Sequence, residues 1–131
     1  MGMENSTAFA AGTVAIPSNG EGGLAQSRSE HFGRASHFTI VEIADGKVGQ
    51  VRTVENLPHI EGGCRRPVDM LVAGGVTAAL VVGMGTGPFN GFAAAGVPVY
   101  ADRVGATVGD AVARLINGEV ELLSGSACHH H

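Results

Sequence analysis

A turn sequence, Asp45-Gly46, stands between two strand-like runs and limits more than any other feature what this chain can fold into. The runs cover residues 37–43 (HFTIVEI) and 47–55 (KVGQVRTVE). Because an Asp-Gly pair tolerates the positive φ angles of a tight hairpin, the two runs are predicted to be neighbouring antiparallel strands.

Apolar periodicity defines the rest of the predicted fold. Short apolar runs at residues 12–17, 78–82 and 97–100 predict three further strands. Apolar residues spaced at i, i+3 and i+4 predict three helices, the first of which starts at Pro67. The side chains predicted to face the core are Val68, Leu71 and Val72 in the first helix, Phe89, Phe92 and Ala93 in the second, and Val108, Ala111, Val112, Leu115 and Ile116 in the third.

The third helix has the clearest boundaries, because Thr107 and Asp110 have the spacing of a capping box and Asn117-Gly118 closes it. The predicted element order is β-β-β-α-β-α-β-α. A hairpin that leads into parallel crossover units implies an α/β fold with a mixed sheet of five strands. Helices are expected to cover this sheet, since parallel crossovers bury both faces.

The length and charge of the chain favour a single-domain protein and argue against nucleic-acid and membrane binding. The 131 residues are 44% apolar, which suits one domain at 12–123 between a flexible leader (1–11) and a Cys/His-rich tail (124–131). The net charge of -4 and the scatter of eight Lys and Arg residues leave no basic stripe for nucleic acid. No apolar run approaches the roughly 20 residues that cross a bilayer. We therefore expect a cytoplasmic protein that binds neither nucleic acid nor membranes.

The sequence lacks the patterns of common catalytic sites. It contains no Gly-x-Ser-x-Gly elbow and no His-x-x-x-His pair on a predicted helix. The predicted central strands carry no carboxylates for a two-metal nuclease. Cys64 and Cys128 are far apart and form no Cys-x-x-Cys motif, so both are expected to be free thiols. The sequence therefore shows no residues for hydrolase or nuclease chemistry.

The first candidate site is the SEHFGRA segment, residues 29–35. It would hold the imidazole of His31 at the surface near a strand end, where open α/β sheets tend to bind ligands. Two interpretations stay open, since His31 is either a metal ligand or a side chain that only hydrogen-bonds the loop backbone. Arg34 can bind an anion, and a solvated loop arginine is the simpler alternative.

The second candidate site is the HIEGGCRR segment, residues 59–66. An imidazole at His59 and a thiolate at Cys64 together favour Fe, Cu or Zn over Mg or Ca. The two arginines that follow Cys64 favour its thiolate form. The alternative is an inert loop cysteine.

The third candidate site is the C-terminal tail with Cys128, His129 and His130, followed by one more histidine. Such tracts bind soft and borderline transition metals, because several donors lie within chelating reach on one segment. The alternative is the remnant of a purification tag.

The fourth candidate is the GMGTGP loop, residues 83–88, between a predicted strand and a predicted helix. Loops in this position can bind anions through the free amides of the helix N-terminus. The dinucleotide-binding pattern fails at Pro88, where its third glycine should stand. A structural turn is therefore favoured over an anion site.

Four short motifs occur in an order typical of one family: AIP at residues 15–17, SEHFGRA at 29–35, GGCRRP at 62–67 and GMGTG at 83–87. On these motifs the chain, from about residue 13 to its C-terminus, resembles the dinitrogenase iron-molybdenum-cofactor biosynthesis family. The terminal Cys-His run is similar to the ending of some stand-alone members.

The resemblance implies a three-layer ribonuclease-H-like fold with a five-stranded mixed sheet. It also implies a non-catalytic role, in which the chain carries an iron-molybdenum cofactor, an iron-sulfur cluster or a related metal between donor and acceptor proteins. The family's cofactor-binding histidine corresponds to His31. Two cysteines cannot supply the four thiolates that usually hold an iron-sulfur cluster. We therefore expect His31 and Cys64, helped by His59, Arg34 and the tail, to hold a transferable cluster in a monomer or weak homodimer.

Two other classes of function stay open from the sequence. The first is a binding module for a small anionic ligand at the 83–88 loop. The second is a scaffold that contacts partner proteins and binds no metal.

Overall fold

The computed structural model describes residues 9–56 and 65–123. Within these ranges the chain forms one six-stranded sheet, three α-helices and a short 3-10 turn at Phe32–Arg34. The strands are β1 (Gly12–Ser18), β2 (His37–Ala44), β3 (Lys47–Glu55), β4 (Ala78–Val81), β5 (Val99–Ala101) and β6 (Glu121–Leu122). The helices are α1 (Arg65–Ala73), α2 (Thr86–Ala94) and α3 (Val108–Ile116).

The predicted hairpin is formed by β2 and β3. Asp45 and Gly46 have φ angles of 54° and 70°, the positive values that a two-residue hairpin turn requires. The two strands pair antiparallel along their length, with one irregularity between Val41 and Ile43. The prediction of antiparallel neighbours is therefore confirmed.

The strand order across the sheet is β3-β2-β1-β4-β5-β6. The three central strands β1, β4 and β5 are parallel, whereas β2 and β6 run antiparallel to their neighbours β1 and β5. The prediction of a mixed α/β sheet is confirmed, but its count of five strands is wrong, because β6 adds a sixth. Glu121 and Leu122 are both exposed, so this two-residue strand has no apolar alternation that a sequence pattern could reveal.

Helices cover both faces of the sheet and bury two apolar clusters. The first cluster joins the sheet to α1 and α2 and includes Ala15, Phe38, Ile40, Val68, Leu71, Ala79, Val81, Phe92 and Val99. The second cluster joins the opposite face to α3 and includes Val14, Ile16, Val41, Leu80, Val108, Ala111, Val112 and Leu115. Each helix has nine residues, and none in the described part of the chain is long and apolar enough to cross a bilayer.

The capping box of α3 is present as predicted. The Asp110 amide donates to Thr107 Oγ1 at 3.1 Å, and the Thr107 amide donates to Asp110 Oδ2 at 3.3 Å. These two bonds satisfy amides that a helix N-terminus otherwise leaves unpaired. Of the predicted apolar stripe, Ile116 alone is only partly buried.

The second helix differs from its prediction. It begins at Thr86, and its buried positions are Pro88 and Phe92, with Phe89 partly buried beside them. Ala93 is exposed, so its predicted inward orientation is wrong. The reason is geometric, because Ala93 follows Phe92 by one residue and is turned about 100° around the helix axis from the buried face.

Candidate functional site

The strands β1, β3, β4 and β5 all end at one edge of the sheet, which we call the carboxyl edge. Ligands of open α/β sheets characteristically bind outside the carboxyl ends of parallel strands. The 3-10 turn lies near this edge, since the Ser29 amide donates to the carbonyl of Pro17 near the end of β1 at 2.9 Å. The segment that follows β4 and leads into α2 starts at the same edge.

His31 stands at the start of the 3-10 turn and is exposed. Its backbone is held on both sides, since Ser29 Oγ accepts from the His31 amide at 3.2 Å and donates to the His31 carbonyl at 3.1 Å. The same carbonyl accepts from the Arg34 amide at 3.2 Å. No hydrogen bond to the His31 imidazole is found within residues 9–56 and 65–123. The ring is therefore presented to solvent on a fixed backbone.

Phe32 anchors the turn that carries His31. Its side chain is buried in the cluster below α1 and α2, with ring centroids 5.2 Å from Phe38 and 5.5 Å from Phe92. The Phe32–Phe92 pair is edge-to-face, an arrangement that aromatic quadrupoles favour. In the His-Phe dipeptide, Phe32 is thus the buried anchor, and His31 is an exposed side chain that can donate to a metal. Arg34, the last residue of the turn, is exposed as well.

The 83–88 loop is shorter than the sequence suggested, because α2 already begins at Thr86. Gly85 is the N-cap residue, and among the described residues no side chain caps the helix. Met84 is partly buried and packs against the cluster that contains Phe32. Pro88 is buried within the first turn of the helix. The position where a dinucleotide-binding loop has its third glycine is therefore part of α2 here.

A buried charged group, which the sequence analysis did not find, lies on the α3 side of the carboxyl edge. Asp102 follows β5, and its side chain is 1% exposed. Its Oδ1 accepts from Arg114 Nε at 2.7 Å, and its Oδ2 lies 3.6 Å from Arg28 Nη2. Arg28 also donates to the Asp102 carbonyl and, through Nε, to the Gly105 carbonyl at 3.1 Å. We call Arg28, Asp102 and Arg114 the buried charge cluster.

The surroundings of the buried charge cluster change its ionisation. Burial acts to raise the pKa of Asp102, but the hydrogen bond from Arg114, the amides of Gly105 and Val104 and the charge of Arg28 together lower it below its ordinary value. Burial lowers the pKa of Arg28, against the attraction of Asp102. Arginine nevertheless keeps its charge at neutral pH. The cluster therefore holds two positive charges and one negative charge.

The lowered pKa of Asp102 predicts an acid-dependent loss of stability. The carboxylate favours the folded chain, so its contribution is complete above the ordinary carboxyl pKa of about 4 and is lost as the pH falls below that value. We expect the free energy of unfolding, measured by urea denaturation between pH 7 and pH 3, to decrease more steeply below pH 4 in the wild type than in Asp102→Asn. Equal slopes in the two proteins would contradict this assignment.

The remaining predicted ligands lie outside the described residues. These are His59, Cys64, Cys128, His129 and His130. Within residues 9–56 and 65–123 no group of three or more His, Cys, Asp or Glu side chains could hold a metal ion. The assignment of His31 together with the other donors therefore stays a prediction.

His37 is a further histidine near this edge that the sequence analysis treated only as a strand residue. It begins β2, opposite Ser18 on one side and Glu55 on the other. Its Nδ1 is buried, and no hydrogen bond to it is found in the described part of the chain. The sequence shows His37 at the start of a predicted strand, and this position gave no reason to consider it as a ligand.

The chain is similar to several known proteins. Residues 12–118 match the protein-family model described as dinitrogenase iron-molybdenum cofactor. A candidate NifB protein from Thermotoga, assigned to the DUF35 family, is 36% identical, with a TM-score of 0.70 over 86% of this chain and 93% of that one. No curated protein matches the sequence significantly.

Two further solved structures share the fold. The apo form of the orange protein from Desulfovibrio gigas is 26% identical, with a TM-score of 0.75 over 90% of this chain and 97% of that one. A candidate dinitrogenase from Methanocaldococcus jannaschii is 22% identical, with a TM-score of 0.70 over 88% of this chain and 98% of that one. At that identity the likeness concerns the fold alone.

Proposed function

Because the chain belongs to the dinitrogenase iron-molybdenum cofactor family, we propose that it binds and carries an iron-molybdenum or iron-sulfur cluster, or a related metal, at its carboxyl edge. In this proposal the protein is cytoplasmic and non-catalytic, and it passes its cargo from donor to acceptor proteins as a monomer or weak homodimer. The ribonuclease-H-like classification of the sheet belongs to the same proposal, and the mixed strand order with helices on both faces supports it.

The observation that carries the proposal is the exposed imidazole of His31 on its buried Phe32 anchor. A neutral imidazole is a good ligand for iron and other transition metals, and a fixed backbone reduces the entropy lost when it binds. The described residues offer His31 without a full set of protein ligands. The sequence contains only two cysteines, so a preassembled cluster that needs one or two protein ligands suits it better than a cluster held by four thiolates.

The test is an anaerobic titration of the full chain with isolated iron-molybdenum cofactor, followed by absorbance and electron paramagnetic resonance. All proteins in the series carry Cys128 and the three terminal histidines replaced by serine, so that the predicted donors of the tail do not contribute. We expect stoichiometric binding by this background and at least about tenfold weaker binding by His31→Ala, which corresponds to about 1.4 kcal/mol. The matched control is His37→Gln, which alters the half-buried histidine of β2.

Equal affinity of His31→Ala and its background would overturn the role of His31. A lack of binding by every protein would overturn cluster carriage itself.

One observation favours the anion-binding alternative, namely that no side chain within residues 9–56 and 65–123 caps the N-terminus of α2. Its first amides are then open to a ligand, as at other helix N-termini. In that case inorganic phosphate would raise the melting temperature in the presence of a chelator, and His31→Ala would leave that shift unchanged.

A further inference from the structure

Arg103 is an exposed basic residue at the carboxyl edge that neither the sequence motifs nor the proposed function uses. Its Nε donates to the carbonyl of Val82 at 3.4 Å. Val82 directly follows β4 and precedes the glycines that lead into α2. The guanidinium therefore lies at the base of the segment that joins β4 to α2, on the edge where His31 is presented.

The backbone around Arg103 is held from both sides. The Asp102 amide donates to the Val81 carbonyl at 2.9 Å, which continues the pairing between β4 and β5. On the other side, the Gly105 amide donates to Asp102 Oδ2 at 2.9 Å. A Cβ on Gly105 would lie 2.8 Å from the Ala111 amide nitrogen, so only a glycine lets this turn pack against α3 so closely. Arg103 is thus displayed by a turn that the fold fixes in place.

The electrostatic environment of this edge favours an anion. The buried charge cluster is balanced, because Asp102 pairs with Arg28 and Arg114, and Arg114 also lies 3.4 Å from Glu119. Arg103 adds a positive charge at the surface, and no ion pair of this arginine is found within residues 9–56 and 65–123. Glu30 is the exposed acidic residue in the neighbouring segment. An exposed guanidinium without an ion pair in the described part of the chain attracts an anionic ligand and repels a free metal cation.

We propose that Arg103 is a second binding residue of the carboxyl edge, which selects anionic metal-sulfur clusters over free metal cations. This inference rests on the proposed function and adds a contact to it. A guanidinium is always charged and presents several N–H donors in one plane, which suits the sulfide and oxygen acceptors on the surface of an anionic cluster. Besides the Nε bond to Val82, no hydrogen bond or ion pair of the Arg103 guanidinium is found in the described part of the chain, so its outer nitrogens are available to a ligand.

The test compares single substitutions in the serine-tail background described above. Arg103→Gln removes the charge, Arg103→Lys keeps it, and Arg52→Gln removes an equal charge from the edge strand β3 as a matched control. Isolated iron-molybdenum cofactor and Fe²⁺ are titrated separately, each at two ionic strengths. Urea denaturation of each variant checks that the fold is retained.

We expect Arg103→Gln to weaken cofactor binding about tenfold and to reduce its dependence on ionic strength, because one of the screened attractions is lost. Arg103→Lys should stay within about threefold of the background, and Arg52→Gln should match it. Fe²⁺ binding should not weaken in Arg103→Gln. Cofactor affinity that falls in His31→Ala but not in Arg103→Gln would overturn the role of Arg103 and leave the proposed function standing. A background protein that binds no cofactor would overturn both.

Discussion

Asp102→Asn is expected to lower the free energy of unfolding by about 3–5 kcal/mol, the usual cost of breaking a buried ion pair by removing one partner. The substitution removes the nearest counter-charge of Arg28, whose side chain is 5% exposed. Asparagine has a single acceptor oxygen, so it can keep the bond from the Gly105 amide or the bonds from the Val104 amide and Arg114, but not all three. The loss therefore combines the missing charge with at least one missing hydrogen bond. Urea denaturation at neutral pH measures it.

The control for this prediction is Glu119→Gln. Glu119 lies 3.4 Å from the other side of the Arg114 guanidinium, and its side chain is 52% exposed. Exposed pairs contribute little because water and salt screen them, so we expect a change below about 1 kcal/mol. If both substitutions cost the same, the buried charge cluster does not contribute to stability in the way its geometry implies.

Phe32→Ala is expected to lower the free energy of unfolding by about 3–5 kcal/mol, as for other buried phenylalanines. Phe32 is 3% exposed, and its removal leaves a cavity between Phe38 and Phe92. It also removes the anchor of the turn that presents His31. We therefore expect cofactor affinity to fall at least as far as in His31→Ala under conditions in which the variant remains folded.

Phe32→Leu separates the two effects of this change. Leucine keeps most of the buried apolar volume, so its cost in stability should be well below that of alanine. Cofactor affinity should then stay close to that of the background. A Phe32→Ala protein that is folded and binds cofactor normally would show that His31 does not depend on the aromatic anchor.

The parts of the fold that local rules determine were predictable from the sequence. The Asp45-Gly46 turn requires positive φ angles that few residue pairs tolerate, and the capping box of α3 is complete within four residues. The strand β6 was not predictable, because its two exposed residues form a strand only through their pairing with β5. The orientation of Ala93 was predicted wrongly, because the buried face of α2 is centred on Pro88 and Phe92, and Ala93 is turned about 100° from Phe92.

The candidate site likewise has a part that was predictable from the sequence and a part that was not. His31 was identified from a short motif, because an exposed donor next to a buried phenylalanine is a local arrangement. The buried charge cluster was missed, because Arg28 meets Asp102 and Gly105 across 74 and 77 residues of sequence. A single sequence contains no spacing rule for such contacts. The position of Asp102 at the end of a predicted strand was the only local signal available.

The long reach of Arg28 has a consequence for how the protein folds. The antiparallel strands β1, β2 and β3 are close in sequence and can pair early, yet Arg28 beside them finds its acceptors only after β5 and the start of α3 are in place. Until then its guanidinium must stay hydrated, because burial without a partner is costly. Arg28 thus adds to the pairing of β1 with β4 in coupling the two halves of the chain. Unfolding of the sheet should accordingly be a single cooperative transition, followed identically by probes placed in either half.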